Sequence, residues 1–235
     1  KKLTAEIRKI RPEKTDFAIM VDHEGGAVQR FKKDGFIHLP PMACLGKFYE
    51  SNPQRAMQQA RIFGYMMARQ LKEHQIDISL GPVVDRDLGN AAISRYGRAF
   101  HKDPEIIIAL ASEFITGMRA AGMPCTLKHF PGHGHDIGDS NISQPIDHRT
   151  KEELAKDIGV FESLLNMSGA VMPAHIIYTE FDKHNTALNS KIWESILRED
   201  IGFKGPIISD CVSMAGAKTQ NKLKKPQYLY FQQLL

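Results

Sequence analysis

At 235 residues and 26.4 kDa, the chain is long enough to bury a large core within one α/β domain. Its 42% hydrophobic and 25% charged residues suit a soluble globular protein, and a net charge of +4, scattered apart from a cluster at 218–225, does not read as a nucleic-acid face. No apolar run approaches the ~20 residues of a membrane span, the first residues lack a signal peptide's apolar core, and three cysteines without CxxC spacing (Cys44, Cys125, Cys211) read as free thiols in a reducing, cytoplasmic compartment.

In chain order, short apolar runs alternate with longer amphipathic stretches. Residues 17–21 form the first run and end in Asp22-His23-Glu24-Gly25-Gly26. Residues 53–74 read as one long helix, followed by the run 76–80 and then Gly81-Pro82-Val83-Val84-Asp85. Asp103-Pro104-Glu105 caps a helix reaching Ala121, with Pro at the first helical position and Gly122 as the stop. The run 125–127 opens into Lys128-His129-Phe130-Pro131-Gly132-His133-Gly134-His135-Asp136, where Gly and Pro predict a shaped loop at a strand end. Thr150-Lys151-Glu152-Glu153 is a capping box for a helix to about Asn166. Residues 170–172 lead to Pro173-Ala174-His175. Asn189-Ser190 opens a helix through Glu199, and residues 206–208 end in Ser209-Asp210.

Most of these runs are apolar on both faces, as parallel strands covered by helices must be. Strand–helix alternation predicts an α/β fold with a parallel sheet. The runs end on or lead to polar residues: Asp22, Asp85, Lys128, His175 and Asp210. Five strands delivering side chains to one rim favour a (β/α)8 TIM-like barrel, whose sites lie at the C-terminal ends of its strands. A doubly wound sheet would concentrate them at one switch point, usually beside a glycine-rich phosphate turn, and no GxGxxG or GxxxxGK[ST] is present. Only five strands are readable where a barrel needs eight, so the barrel is expected to be incomplete, with a barrel domain at 1–217 and an atypical tail at 218–235.

The loop at 128–136 carries a density of titratable groups that points to binding or reaction. A carboxylate closing a strand, as Asp210 does, can act as nucleophile, general base or electrostatic stabiliser, or simply cap a loop. Asp22 and Glu24 add two carboxylates beside glycines that admit a ligand closely. Arg30 could hold a hydroxyl or carboxylate, or pair with Glu24. Arg98 reads as a loop arginine or an anion and hydroxyl clamp, and His175 as a site residue or a packed rim histidine. His129, His133 and His135 with Asp136 and Asp139 contain ligand types for a metal, but their spacing matches no metal signature, so no metal and no other cofactor is expected.

Taken together, these motifs resemble glycoside hydrolase family 3, and within it the bacterial β-N-acetylhexosaminidases of the NagZ type. The matching residues are Val21-Asp22-His23-Glu24-Gly25-Gly26 with Val28-Gln29-Arg30, Gly81-Pro82-Val83-Val84-Asp85, and Gly97-Arg98-Ala99-Phe100 with Asp103-Pro104. They continue with the run 128–134, Val171-Met172-Pro173-Ala174-His175, and Gly202-Phe203-Lys204-Gly205 leading to Ser209-Asp210 and Ser213-Met214, in order and spacing from about residue 16 to 217.

The resemblance implies a cofactor-free barrel that cleaves β-linked N-acetylglucosamine with retention, in cell-wall fragment recycling. Its substrate would be a small carbohydrate, with neither nucleic acid nor membrane as partner. Asp210 falls on the nucleophile, and Asp22, Arg30, Arg98, Lys128 and His129 fall on sugar-binding residues. The general acid of the family is a His in an Asp-Ser-His triplet, oriented by the Asp; here the triplet is Asp139-Ser140-Asn141. An amide cannot protonate a leaving oxygen near neutral pH, so impaired turnover is expected. A non-catalytic N-acetylglucosamine-binding protein is the alternative, and another β-glycosidase of the same family a further one.

Overall fold

The computed structural model describes residues 1–10, 17–33, 35–135 and 143–218. In chain order the main elements are α1 (Lys2–Lys9), β1 (Met20–Val21), β2 (His23–Gly25), β3 (Val28–Gln29), α2 (Met42–Ser51), α3 (Pro53–Glu73) and β4 (Ile78–Ser79). These are followed by α4 (Pro104–Ala120), β5 (Thr126–Phe130), β6 (Ile146–Asp147), α5 (Lys151–Leu164), β7 (Ala170–Pro173), β8 (Ile177–Tyr178) and α6 (Lys191–Ser195).

Caps written in the sequence start the long helices. Asn52 accepts from the Arg55 amide at 3.2 Å ahead of Pro53, and Asp103 accepts from the Glu105 amide at 2.9 Å ahead of Pro104. Thr150 and Glu153 close both halves of the predicted capping box, with Glu153 Oε2 accepting from the Thr150 amide at 2.8 Å. Ser190 starts α6, which passes into a π-helical turn at Ile196–Asp200.

The parallel strands follow one another in space as they do in sequence. β1 pairs with β4 (Met20 with Ile78, Val21 with Ser79), and Ser79 bridges to Cys125 and Val83 to Lys128. β5 pairs with β7 from Thr126–Ala170 onward, and Val171 bridges in parallel to Ile207. Each neighbour is reached through helices: α2 and α3, then α4, α5 and α6. A doubly wound sheet would reverse this order at a switch point. An unreversed run of five parallel strands is the wall of a TIM-barrel-like fold.

The wall is apolar on both faces because side chains alternate along a strand. In β7, Val171 faces the helices and belongs to the main core, whereas Ala170 and Met172 pack inward with Ile208, Met20 and Leu80. On the outer side an aromatic cluster locks α5 and α6 to the wall. Phe130 meets Phe161 and Trp193 edge-on at 5.3 and 5.7 Å, and Tyr178 lies 5.3 Å from Trp193.

Small residues let α3 and α4 touch backbone to backbone. Ala56, Ala60, Gly64 and Ala68 form a buried ridge, and a Cβ on Gly64 would stand 2.0 Å from the Phe114 carbonyl oxygen.

The structure departs from the sequence expectation in three places. Lys128 does not begin a loop: β5 runs through Phe130, with an irregularity between Lys128 and Phe130, so both Lys128 and His129 lie within the strand. The β2–β3 hairpin and the parallel pair β6–β8 add strands beyond the five expected. Helices α1 and α2 also appear where no cap announced them.

Candidate active site

Most of the site residues come from the C-terminal ends of the wall strands, while Glu24 and Arg30 come from the β2–β3 hairpin and its exit and Arg98 from the segment between β4 and α4. Asp22 follows β1, Asp85 follows β4, Lys128 and His129 lie in β5, His175 follows β7, and Asp210 follows the Ile207 bridge. A cavity of about 170 Å³ opens there, lined by Asp22, Glu24, Arg30, Arg98, Lys128, His129, His133 and Asp210, with Val28, Ala92, Ile93, Cys211 and Met214 as its less polar wall.

The charges form one connected network. Buried Lys128 places its Nζ 3.0 Å from Asp22 Oδ1 and 2.6 Å from Glu24 Oε1. Arg98 grips Glu24 with both arms of its fork, Nε and Nη2 each donating at 2.8 Å, and its Nη1 donates to the Ala92 carbonyl at 3.1 Å. Burial raises the Glu24 pKa, but Lys128 and Arg98 outweigh it and hold the carboxyl at about 2. Lys128 is the mirror case: burial lowers its pKa, and Asp22 and Glu24 raise it further than that. Both groups are therefore charged at neutral pH. Arg30 does not pair with Glu24, which is already taken; its guanidinium is half-exposed and lies 3.6 Å from Asp22.

His129 is fixed from behind. Asp85 Oδ2 accepts from Nδ1 at 2.7 Å, while Oδ1 accepts from the backbone amides of His129 at 3.0 Å and His133 at 2.7 Å. Nδ1 is thereby committed as a donor, and Nε2 faces the cavity 3.8 Å from Asp210 Oδ2. The Cys211 amide donates to Asp210 Oδ1 at 2.7 Å, which leaves Oδ2 as the open oxygen. Burial pushes the Asp210 pKa up, but His129, Lys128, His175 and the Cys211 amide together hold it below the usual carboxylate range. His175 packs behind Asp210, its pKa lowered by burial against the opposing pull of Asp210.

The structure thus brings six of the eight expected site residues into one cavity: Asp22, Arg30, Arg98, Lys128, His129 and Asp210. Asp139 and Asn141 lie outside the described residues. Two contributors were not assigned from sequence. Glu24 was read only as a carboxylate near a glycine pair, and Asp85 only as a strand end. Ala92 and Ile93 carried no chemical signal.

Among the described residues no three His, Cys, Asp or Glu side chains gather to hold a metal. The arrangement can bind a neutral polyhydroxylated ligand, since three carboxylates and three cations supply both acceptors and donors with little net charge. It can also offer one ionised carboxylate oxygen to an electrophile.

Fold and site define a TIM-barrel-like protein with a polar ligand pocket at its strand ends. Residues 1–227 match the Glycosyl hydrolase family 3 N terminal domain, and the chain belongs to that family. It is 44% identical over 218 residues to a beta-hexosaminidase of Aromatoleum aromaticum, covering 92% of this chain and 60% of that protein. A beta-hexosaminidase of Thiobacillus denitrificans is 45% identical over 202 residues, covering 85% of this chain and 55% of the relative. Native NagZ from Neisseria gonorrhoeae superposes with a TM-score of 0.84 at 42% identity, covering 93% of this chain and 64% of that structure. The chain therefore spans about 60% of the length of the curated relatives it matches.

Proposed function

We propose that this chain carries the active site of a retaining glycosidase acting on terminal β-linked N-acetylglucosamine, with cell-wall fragments in the cytoplasm as its natural setting. The observation that carries this reading is the shared cavity: Asp210 faces Asp22, Arg98, Lys128 and His129 across it. The beta-hexosaminidase relatives support it, as does NagZ from Neisseria gonorrhoeae in complex with N-trifluoroacetyl-D-glucosamine, 43% identical to this chain.

In the first step Asp210 Oδ2 attacks the anomeric carbon as the glycosidic C–O bond breaks. The leaving oxygen takes a proton from a general acid, giving a glycosyl-Asp210 ester. In the second step water attacks the same carbon, loses its proton to a base and releases Asp210. Asp22, Arg30, Arg98, Lys128 and His129 bind the hydroxyls and hold the ring against Asp210, which turns a bimolecular encounter into a positioned one. The depressed Asp210 pKa keeps the nucleophile ionised at neutral pH.

The acid/base position falls on Asn141, with Asp139 as its orienting carboxylate by resemblance. Loss of such a group costs ~10²–10⁴-fold in rate. Activated aryl N-acetylglucosaminides, whose leaving groups depart with little protonation, should be cleaved measurably better than natural disaccharides. Asn141→His should raise activity on the disaccharide at least ~10²-fold; a folded variant with no gain would rule out this assignment. Asn141 also favours a second reading, a sugar-binding protein that keeps the pocket without turnover. That reading predicts binding of N-acetylglucosamine with no cleavage even of the aryl substrate.

A further inference from the structure

Outside the cavity lining lies a second set of buried charges that the catalytic steps above do not use. Arg149 chelates Asp147, with Nε at 2.9 Å and Nη2 at 2.7 Å from Oδ2, and reaches Asp157 Oδ2 with Nη1 at 2.9 Å. Arg86 lies 3.5 Å from the same Asp157 oxygen. This cluster and the hydroxyl of Tyr178 converge on one backbone group, the carbonyl of Gly132. Tyr178 Oη donates to it at 2.9 Å and Arg149 Nη2 at 3.5 Å. Position 132 admits only glycine: its φ is +149°, and a Cβ would stand 2.8 Å from Asp157.

The Gly132 carbonyl and the His133 amide belong to the same peptide unit, which is planar. Fixing the oxygen fixes the direction of the N–H. That N–H donates at 2.7 Å to Asp85 Oδ1, and Asp85 holds the His129 ring through Oδ2. Two donors on the carbonyl also polarise the peptide and strengthen the N–H as a donor.

We propose that Tyr178 and Arg149 are positioning residues that act through the Gly132–His133 peptide on Asp85, and so set the ring of His129 beside Asp210. The catalytic meaning of this lock rests on the glycosidase reading, but its geometry does not. Burial raises the Tyr178 pKa well above its ordinary value, so the phenol stays a donor across the working pH range. Asp147 and Asp157 keep Arg149 in place, and neither lines the cavity.

The test compares Tyr178→Phe with Trp193→Phe. The first removes only the hydroxyl. The second disturbs the same aromatic cluster but leaves the Gly132 carbonyl alone. The readouts are the His129 imidazole NMR signals, assigned by their loss in His129→Gln, and the rate at which saturating activated 5-fluoro N-acetylglucosaminide labels Asp210. Tyr178→Phe should move the His129 signals and slow labelling at least ~10-fold, within the range expected for a misplaced site group; Trp193→Phe should do neither. His129 signals unchanged in folded Tyr178→Phe, or moved equally by Trp193→Phe, overturn the proposal. Should Tyr178→Phe not fold, 3-fluorotyrosine at position 178 alters donor strength with the fold intact, and unmoved His129 signals again overturn it. If wild-type protein is not labelled, the glycosidase reading falls, while the His129 signals still decide the lock.

Discussion

Glu24 holds the site together without being placed in the reaction itself. It is buried, and its two oxygens satisfy Lys128 and both arms of Arg98. Removing one partner of a buried ion pair leaves an uncompensated charge, which costs about 3–5 kcal/mol. Glu24→Gln keeps the shape and removes the charge. Urea unfolding should show a loss of that order, and calorimetry should show N-acetylglucosamine binding weakened by ~10-fold or more, since tenfold is only about 1.4 kcal/mol. A variant as stable as wild type would mean that Lys128 is sufficiently paired by Asp22 alone. The sequence displayed the chemistry of this region but not its wiring. The run 128–134 is dense enough in Lys, His and Gly to mark a site by itself. Glu24 and Arg98 are 74 positions apart, and no local pattern pairs them. Only the strand order brings them within 2.8 Å.

Among the elements, those with chemical punctuation were legible. Helices α3, α4 and α5 begin at Asn52, Asp103 and Thr150, whose side chains cap them, and their apolar faces are long. Helices α1 and α2 have no side-chain cap, which is why nothing in the sequence announced them. Strands β6 and β8 have two residues each, too few for alternation to register. The α3–α4 contact yields a paired prediction. Gly64→Ala gains up to about 1 kcal/mol of helix propensity but drives a methyl into the Phe114 carbonyl, where overpacking costs typically 1–3 kcal/mol. Gly159 in α5 has nothing within 4 Å of its Cβ position. Thermal melts should therefore show Gly64→Ala less stable than wild type and Gly159→Ala more stable. Gly64→Ala melting at or above wild type would contradict the close approach of the two helices.

The whole molecule carries an acid-sensitive core. His23 and His133 are held neutral, each with a pKa of about 4, by burial first and then by His38 and His129 respectively. In the unfolded chain they accept a proton near pH 6.5, so folding loses stability as pH falls from there towards 4. Asp157 works the other way: burial raises its pKa to about 6 despite Arg149 and Arg86, so its cost is relieved as pH falls through 6 towards the unfolded value. Two histidines outweigh one carboxyl. The melting temperature should fall between pH 6.5 and 4.5, and a flat or rising profile would show that these histidines are not buried as described. At this scale the succession of five strands and the helices between them was readable from apolar runs and caps, and the strand bridges confirm its order. The central claim is that Asp210 is a nucleophile facing a sugar pocket. Its most direct test is peptide mass spectrometry after incubation with an activated 5-fluoro N-acetylglucosaminide, which needs only the first chemical step and a leaving group that departs without an acid. A single glycosyl adduct on the peptide containing Asp210, abolished by Asp210→Asn, is the predicted result; no adduct, or one on another residue, would contradict it.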